Sequence, residues 1–384
     1  MTCAMTLSEH FRSAFNLAAR ITNLAEGTFQ RLFLIVVALS ALMLPATSAH
    51  QAARQGLWTF AVSGSSRNCG DVVMPVISKE AIEHNIAFFW HLGTYRNIYR
   101  PDEDFEQAAG TPVKNADYYD EAWNDFIQNQ LGPFGSVPVF LTRGNHEAIP
   151  PKSSEDFIRQ FGDWLNADPI RKQRLQDNPL DHELRTYYHW IQGNIDFITL
   201  DNSTSNFDAQ QLVWFENTLR RDTRAENVKS LVVGMHIPLP ESIAKQHSMN
   251  QSAEGTESGR RAYYDLLKFR SETNKRIYIL ASYNNFYASN IFNSAFWRDH
   301  DGVLPGWIIG TAGSIRYPLP PEAIESAADA VTNVYGYLLG SVSPDGAIEF
   351  DFHRVSEEDV PPSVIRKYSP NFVHWCFVQN SQIR

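Results

Sequence analysis

Asn145, His146 and Glu147 place a neutral oxygen donor, an imidazole and a carboxylate side by side, just after the apolar run Val137 to Leu141. That run has the length and β-branched content of a buried strand. Gly144 lets the backbone turn sharply off its end. Such a set at one strand tip suits a hard or borderline cation with a phosphate beside it. The bland alternative is a polar turn after a strand. A further histidine, His236, ends a second buried strand over Ser230 to Met235, while His91, His189 and His247 have no motif around them and read as ordinary.

The elements that must position these side chains alternate between strand and helix. Leu57 to Ser63 reads as the first strand, and residues 72–89 carry apolar positions at helical spacing before a strand-like end. Residues 116–131 form an amphipathic helix, and Ser153 or Ser154 caps another that runs to Leu165. Residues 168–183 are polar and contain two prolines, which predicts a surface excursion. A hairpin follows over 187–200, then helices over 208–220 and 260–272 and a strand over 276–281. Residues 306–355 are mainly strands. This order predicts two sheets packed face to face and covered by helices.

Gly144-Asn145-His146-Glu147 after a strand resembles a mark of the calcineurin-like metallophosphoesterases, and the motif order covers roughly residues 57–355. The resemblance implies an α/β sandwich of two β-sheets flanked by helices, with two divalent metals held at the tips of five strands. In that family Asn145 would bind a metal, His146 would protonate the leaving group, and His236 would be a further metal ligand. The other positions are substituted. The first motif, an Asp followed two residues later by His, is Ser65 and Arg67 here. The bridging Asp of the second is Thr94 after Gly93, and the Gly-His-x-His of the fifth is Ser282-Tyr283-Asn284-Asn285.

Two dications about 4 Å apart repel strongly, and anionic ligands must offset that repulsion. Thr94 and Ser65 offer hydroxyls, Tyr283 a phenol and Asn285 a weak oxygen donor. Asn145 and His236 alone are a thin set, and Arg67 adds a positive charge. No bound cofactor is therefore expected. The loophole is rescue by Asp71 or Asp201, both otherwise turn or capping residues. Arg67, Arg96 and Arg143 each lie within three residues of a ligand position and could together hold a phosphate or carboxylate by forked hydrogen bonds. Pairing with acids is the competing role for them.

The chain has 384 residues and a formal net charge of -10, which argues against nucleic acid as its main partner. Arg31, an apolar run from Leu32 to Leu44 and a small-residue end at Ala49 describe a signal peptide over 1–49. The predicted organisation is this signal, a phosphoesterase-like domain over 57–355 and a tail over 356–384. The protein would be exported, periplasmic or secreted, with no stable membrane span after cleavage. The segment before Arg31 is long for a signal, which leaves open a later start or a retained anchor. Cys69 and Cys376 would then be the remaining cysteines, either bridged or free.

The first functional reading is a pseudoenzyme that binds a phosphate-containing small molecule or a partner. The alternative is an active phosphoesterase with an altered or single-metal site using Mn, Fe or Zn, with His146 as acid. A third reading, metal-independent hydrolysis through Ser65 or Ser66, lacks an assignable base.

Overall fold

Strands β1 (Trp58–Ser63), β2 (Phe89–His91) and β3 (Val139–Leu141) run parallel and adjacent, so three chain segments end at one edge of a sheet. Two antiparallel strands, β11 (Tyr335–Val342) and β12 (Ile348–Val355), complete it in the order β12-β11-β1-β2-β3. The second sheet contains β4 (Tyr188–Gln192), β5 (Ile195–Thr199), β6 (Ser230–Gly234), β7 (Arg276–Ala281), β8 (Tyr287–Ser289), β9 (Gly306–Ile309) and β10 (Ala330–Val331). Its order is β10-β8-β9-β7-β6-β5-β4, with β5, β6, β7 and β9 parallel. This computed structural model describes residues 57–244 and 247–382, and the expected signal over 1–49 lies outside them. Among the described residues no helix is long and apolar enough to cross a membrane.

Aromatic side chains fill the space between the sheets. Phe140 stacks on Trp190 at 3.9 Å between ring centroids, and Trp190 stacks in turn on Phe197. Phe88 meets Phe60, Phe140 and Phe197 in the same layer. Each such ring removes a large apolar area from water, and the stacked and edge-on geometries add to that gain.

The helix predicted over 116–131 is Asn115–Phe126, continued by a π turn to Leu131. Ser153 caps Ser154–Leu165 in a reciprocal capping box with Asp156. The surface excursion expected over 168–183 is instead helical over Asp168–Asp177. Pro169 sits in its first turn, where proline is tolerated, and only Ile170 and Gln173 are buried. So narrow a buried face leaves almost no periodic signal. The region 306–355 contains a short helix, Pro321–Ser326, besides its strands.

The tail is built into the same unit, Trp58–Arg384. Helices Pro362–Tyr368 and Pro370–Val378 bring Cys376 into a disulfide with Cys69 and Tyr368 Oη to 2.7 Å from Asp71 Oδ2. Asn380 donates to Gly313 O and to Tyr335 Oη. The loop after β1 is thereby tied to the C-terminal helices.

Candidate functional site

The two sheets are stitched together where their parallel strands end. Ser65 Oγ donates to Ser282 O at 2.7 Å, and Ser282 Oγ donates to Leu92 O. His236 Nδ1 lies 2.9 Å from the same Leu92 carbonyl. Gly93 has φ +92°, and a Cβ on Gly144 would lie 2.2 Å from Thr94 N, so both positions require glycine. Ser65 (φ 57°) and Thr94 (φ 60°) hold left-handed backbone conformations, unusual above all for the β-branched Thr94, and each is worth roughly 1–3 kcal/mol of strain.

Glu147 holds Thr94 there. Its carboxylate accepts from the N–H groups of Thr94, Tyr95 and Gly144 at 2.8–2.9 Å, and the side chain is fully buried. Burial pushes its pKa up to about 7 against the opposing effect of those donors. Glu147 is therefore a backbone clamp.

Above this frame lies a pocket of about 220 Å³ lined by Ser65, Arg67, Thr94, Tyr99, Asn145, His146, His236, His247, Tyr283, Asn285 and Tyr317. Eight motif positions named from sequence, Ser65, Arg67, Thr94, Asn145, His146, His236, Tyr283 and Asn285, converge on it. No aspartate or glutamate lines it. Of the three arginines only Arg67 reaches it. Arg96 is fully buried on Asp71, Asp102, Asp104 and Asp125. Arg143 pairs with Asp201 and donates to Ser154 Oγ and Glu147 O. The three-arginine anion site is thus reduced to one residue, because the other two turn away to neighbouring acids. Those contacts also engage Asp71 and Asp201, the candidate replacement ligands.

Arg67 Nη1 donates to Asn97 Oδ1 at 3.0 Å and to His146 Nε2 at 2.8 Å. His146 Nδ1 lies 2.8 Å from Asn97 O, an atom that can only accept, so Nδ1 carries the proton and Nε2 is the acceptor. Burial first, then Arg67, lowers the pKa of His146 to about 3. It has no proton at Nε2 to give a leaving group. His236 has the same tautomer for the same reason, and burial lowers it to about 3 as well.

Thr94 Oγ1, Asn145 Oδ1 and His236 Nε2 stand 2.8–2.9 Å from one another. Two acceptors facing each other at that distance repel. With the Asn145 amide turned so that its NH₂ faces His236, all three atoms are satisfied within the ring. The Thr94 hydroxyl against an imidazole has the form of a nucleophile and its base, but an imidazole held near 3 is a poor base at neutral pH. Ser66 Oγ is engaged by buried His91, and Ser65 Oγ by Ser282 O.

Several lining residues carried no mark in the sequence. Tyr99 lies against His146 at 5.4 Å between centroids. Tyr317 and His247 form the opposite wall, and His247, read from sequence as ordinary, faces Tyr283 at 5.8 Å. Asn97 matters most, since it fixes both Arg67 and His146. These residues come from loops that no motif includes.

Residues 113–271 match the family model described as calcineurin-like phosphoesterase. Over that segment the chain is similar to the calcineurin-like phosphoesterases. The match includes Gly144 to Glu147 and His236 but not the segments with Ser65, Thr94 or Tyr283. A purple acid phosphatase from yellow lupin (Lupinus luteus) seeds is similar in structure, with TM-score 0.53, 13% identity, 78% of this chain and 51% of that chain covered. This chain thus spans about half the length of the lupin enzyme. GAP50, the anchor in the inner membrane complex of Plasmodium, aligns over 78% of this chain and 85% of its own at 10% identity and TM-score 0.46. No curated protein matches the sequence.

Calcineurin-like phosphoesterases usually hold divalent metals, and this pocket does not fit them. Its donors are neutral, and Arg67 puts a guanidinium against His146. Among the described residues no group of three or more His, Cys, Asp or Glu could hold a metal ion.

Proposed function

We propose that this protein is a degenerate calcineurin-like phosphoesterase that binds a phosphate-bearing small molecule without metal at Arg67 and does not hydrolyse it. The carrying observation is Arg67 itself: both its hydrogen-bond partners are neutral, and its buried Nε has no partner. A guanidinium in an acid-free pocket favours an oxyanion, which can accept a forked pair of N–H bonds. Phenols from Tyr99, Tyr283 and Tyr317 line the same pocket and can also donate. The Cys69–Cys376 disulfide supports an exported protein, periplasmic or secreted, since such bonds persist in oxidising compartments.

The test is thermal unfolding in excess chelator with and without inorganic phosphate. Saturating phosphate should raise the midpoint by a few degrees for the natural chain. Arg67→Ala should abolish that shift. A natural chain that ignores phosphate, or that holds near-stoichiometric metal and hydrolyses an aryl phosphodiester, would sink the reading.

A further inference from the structure

The Arg67 pocket does not end at its aromatic wall. His247 and Tyr317 also line a second cavity of about 420 Å³. Its floor and sides are Ile243, Ala244, Phe286, Pro318 and Leu319. The first two and Phe286 are buried side chains that belong to the core of the second sheet's outer layer. The groove's acid, Glu322, comes from the helix Pro321–Ser326.

The two spaces complement each other chemically. The first is polar, with the guanidinium of Arg67 and no carboxylate. The second adds the apolar side chains of Ile243, Ala244, Phe286, Pro318 and Leu319 to the polar Asn284, Glu322 and Gln382, and the His247 and Tyr317 rings that line both spaces are tilted by 35°. Pockets for organic ligands usually measure roughly 300–1,000 Å³. At about 220 Å³ the Arg67 pocket alone falls short of that range, and with its neighbour it falls inside.

We infer that pocket and groove form one composite site for an aryl phosphate monoester, its phosphate on Arg67 and its ring across Tyr317 and His247 against Leu319. This rests on the Arg67 reading and adds the organic half of the ligand. An apolar ring in the groove gains from leaving water and from stacking on Tyr317.

The experiment is titration calorimetry in excess chelator with inorganic phosphate and 1-naphthyl phosphate. Natural protein, Arg67→Ala, Leu319→Glu and Leu319→Met are compared. The natural chain and Leu319→Met should bind naphthyl phosphate at least tenfold more tightly than phosphate. Leu319→Glu should lose that difference while keeping its affinity for inorganic phosphate, which also shows that it is folded. Arg67→Ala should lose both ligands. Equal affinity of the natural chain for the two probes overturns the composite site and leaves the Arg67 reading standing. Absence of inorganic phosphate binding overturns both. Naphthyl phosphate binding that survives Arg67→Ala shows a groove independent of the pocket and overturns the composite site.

Discussion

Arg67 Nη1 donates to His146 Nε2 at 2.8 Å, so a guanidinium holds the lone pair of the imidazole that the resemblance would make the general acid. Arg67 thereby acts on this site in two ways. It supplies a fixed positive charge, and it keeps the neighbouring histidine neutral.

Restoring the lost ligands should therefore fail while Arg67 remains. The variant Ser65→Asp, Thr94→Asp, Tyr283→His, Asn285→His supplies carboxylates and imidazoles but leaves the guanidinium in place. It should copurify with little manganese, zinc or iron. Adding Arg67→His should bring metal to near stoichiometry, with hydrolysis of an aryl phosphodiester appearing alongside it. Metal analysis by mass spectrometry separates the two variants. Equal loading of both would show that Arg67 does not block the centre.

Arg96 illustrates what the sequence could and could not reveal. The strand tips were legible because apolar runs such as Val137 to Leu141 end at polar residues whose position in a parallel sheet follows from topology. Side-chain direction was not. Arg67 and Arg96 both follow strand tips, yet one enters the pocket and the other turns to Asp71 and Asp104, which are 25 and 8 residues away. Asn97, Tyr99 and Tyr317 were missed because a pocket wall contributed by loops has neither periodicity nor spacing.

Arg96 should be a stability residue. Its guanidinium is fully buried with Asp71, Asp102 and Asp104. Arg96→Met leaves those carboxylates without their cation and should cost roughly 3–5 kcal/mol in urea unfolding. Arg96→Lys should recover only part, since one ammonium cannot reproduce the fork that serves several acids. A loss under about 1 kcal/mol for Arg96→Met would contradict this.

His189 should stabilise the fold in a pH-dependent way. Its Nδ1 meets Asp196 at 2.8 Å and its Nε2 meets Asp177 at 2.6 Å. Burial opposes the charged ring, but the two carboxylates outweigh it and raise the pKa to about 10 from 6.5. A raised histidine contributes stability that is full below 6.5 and lost as pH rises through 10. His189→Gln should thus lose about 3 kcal/mol at pH 6, and the gap should close above pH 10. Denaturant midpoints across that range measure it, and a gap independent of pH would refute the charged state.

Glu147 gives the opposite sort of titration. Its folded pKa of about 7 exceeds the ordinary 4.5, so between those values the native state binds more protons than the unfolded chain. Stability from this group therefore falls as pH rises from 4.5 to 7. The carboxylate accepts from three backbone N–H groups, and an amide in its place would turn an NH₂ towards at least one of them. Glu147→Gln should cost about 2 kcal/mol at pH 5, where the natural group is mostly protonated. The difference should shrink towards pH 8, because only the natural chain carries the burden of a buried charge there. Urea unfolding of both proteins across this range decides it. If the three donors outweighed burial and held the carboxylate below 4.5, the difference would not shrink, and the clamp would be an anion at every pH at which the protein is folded.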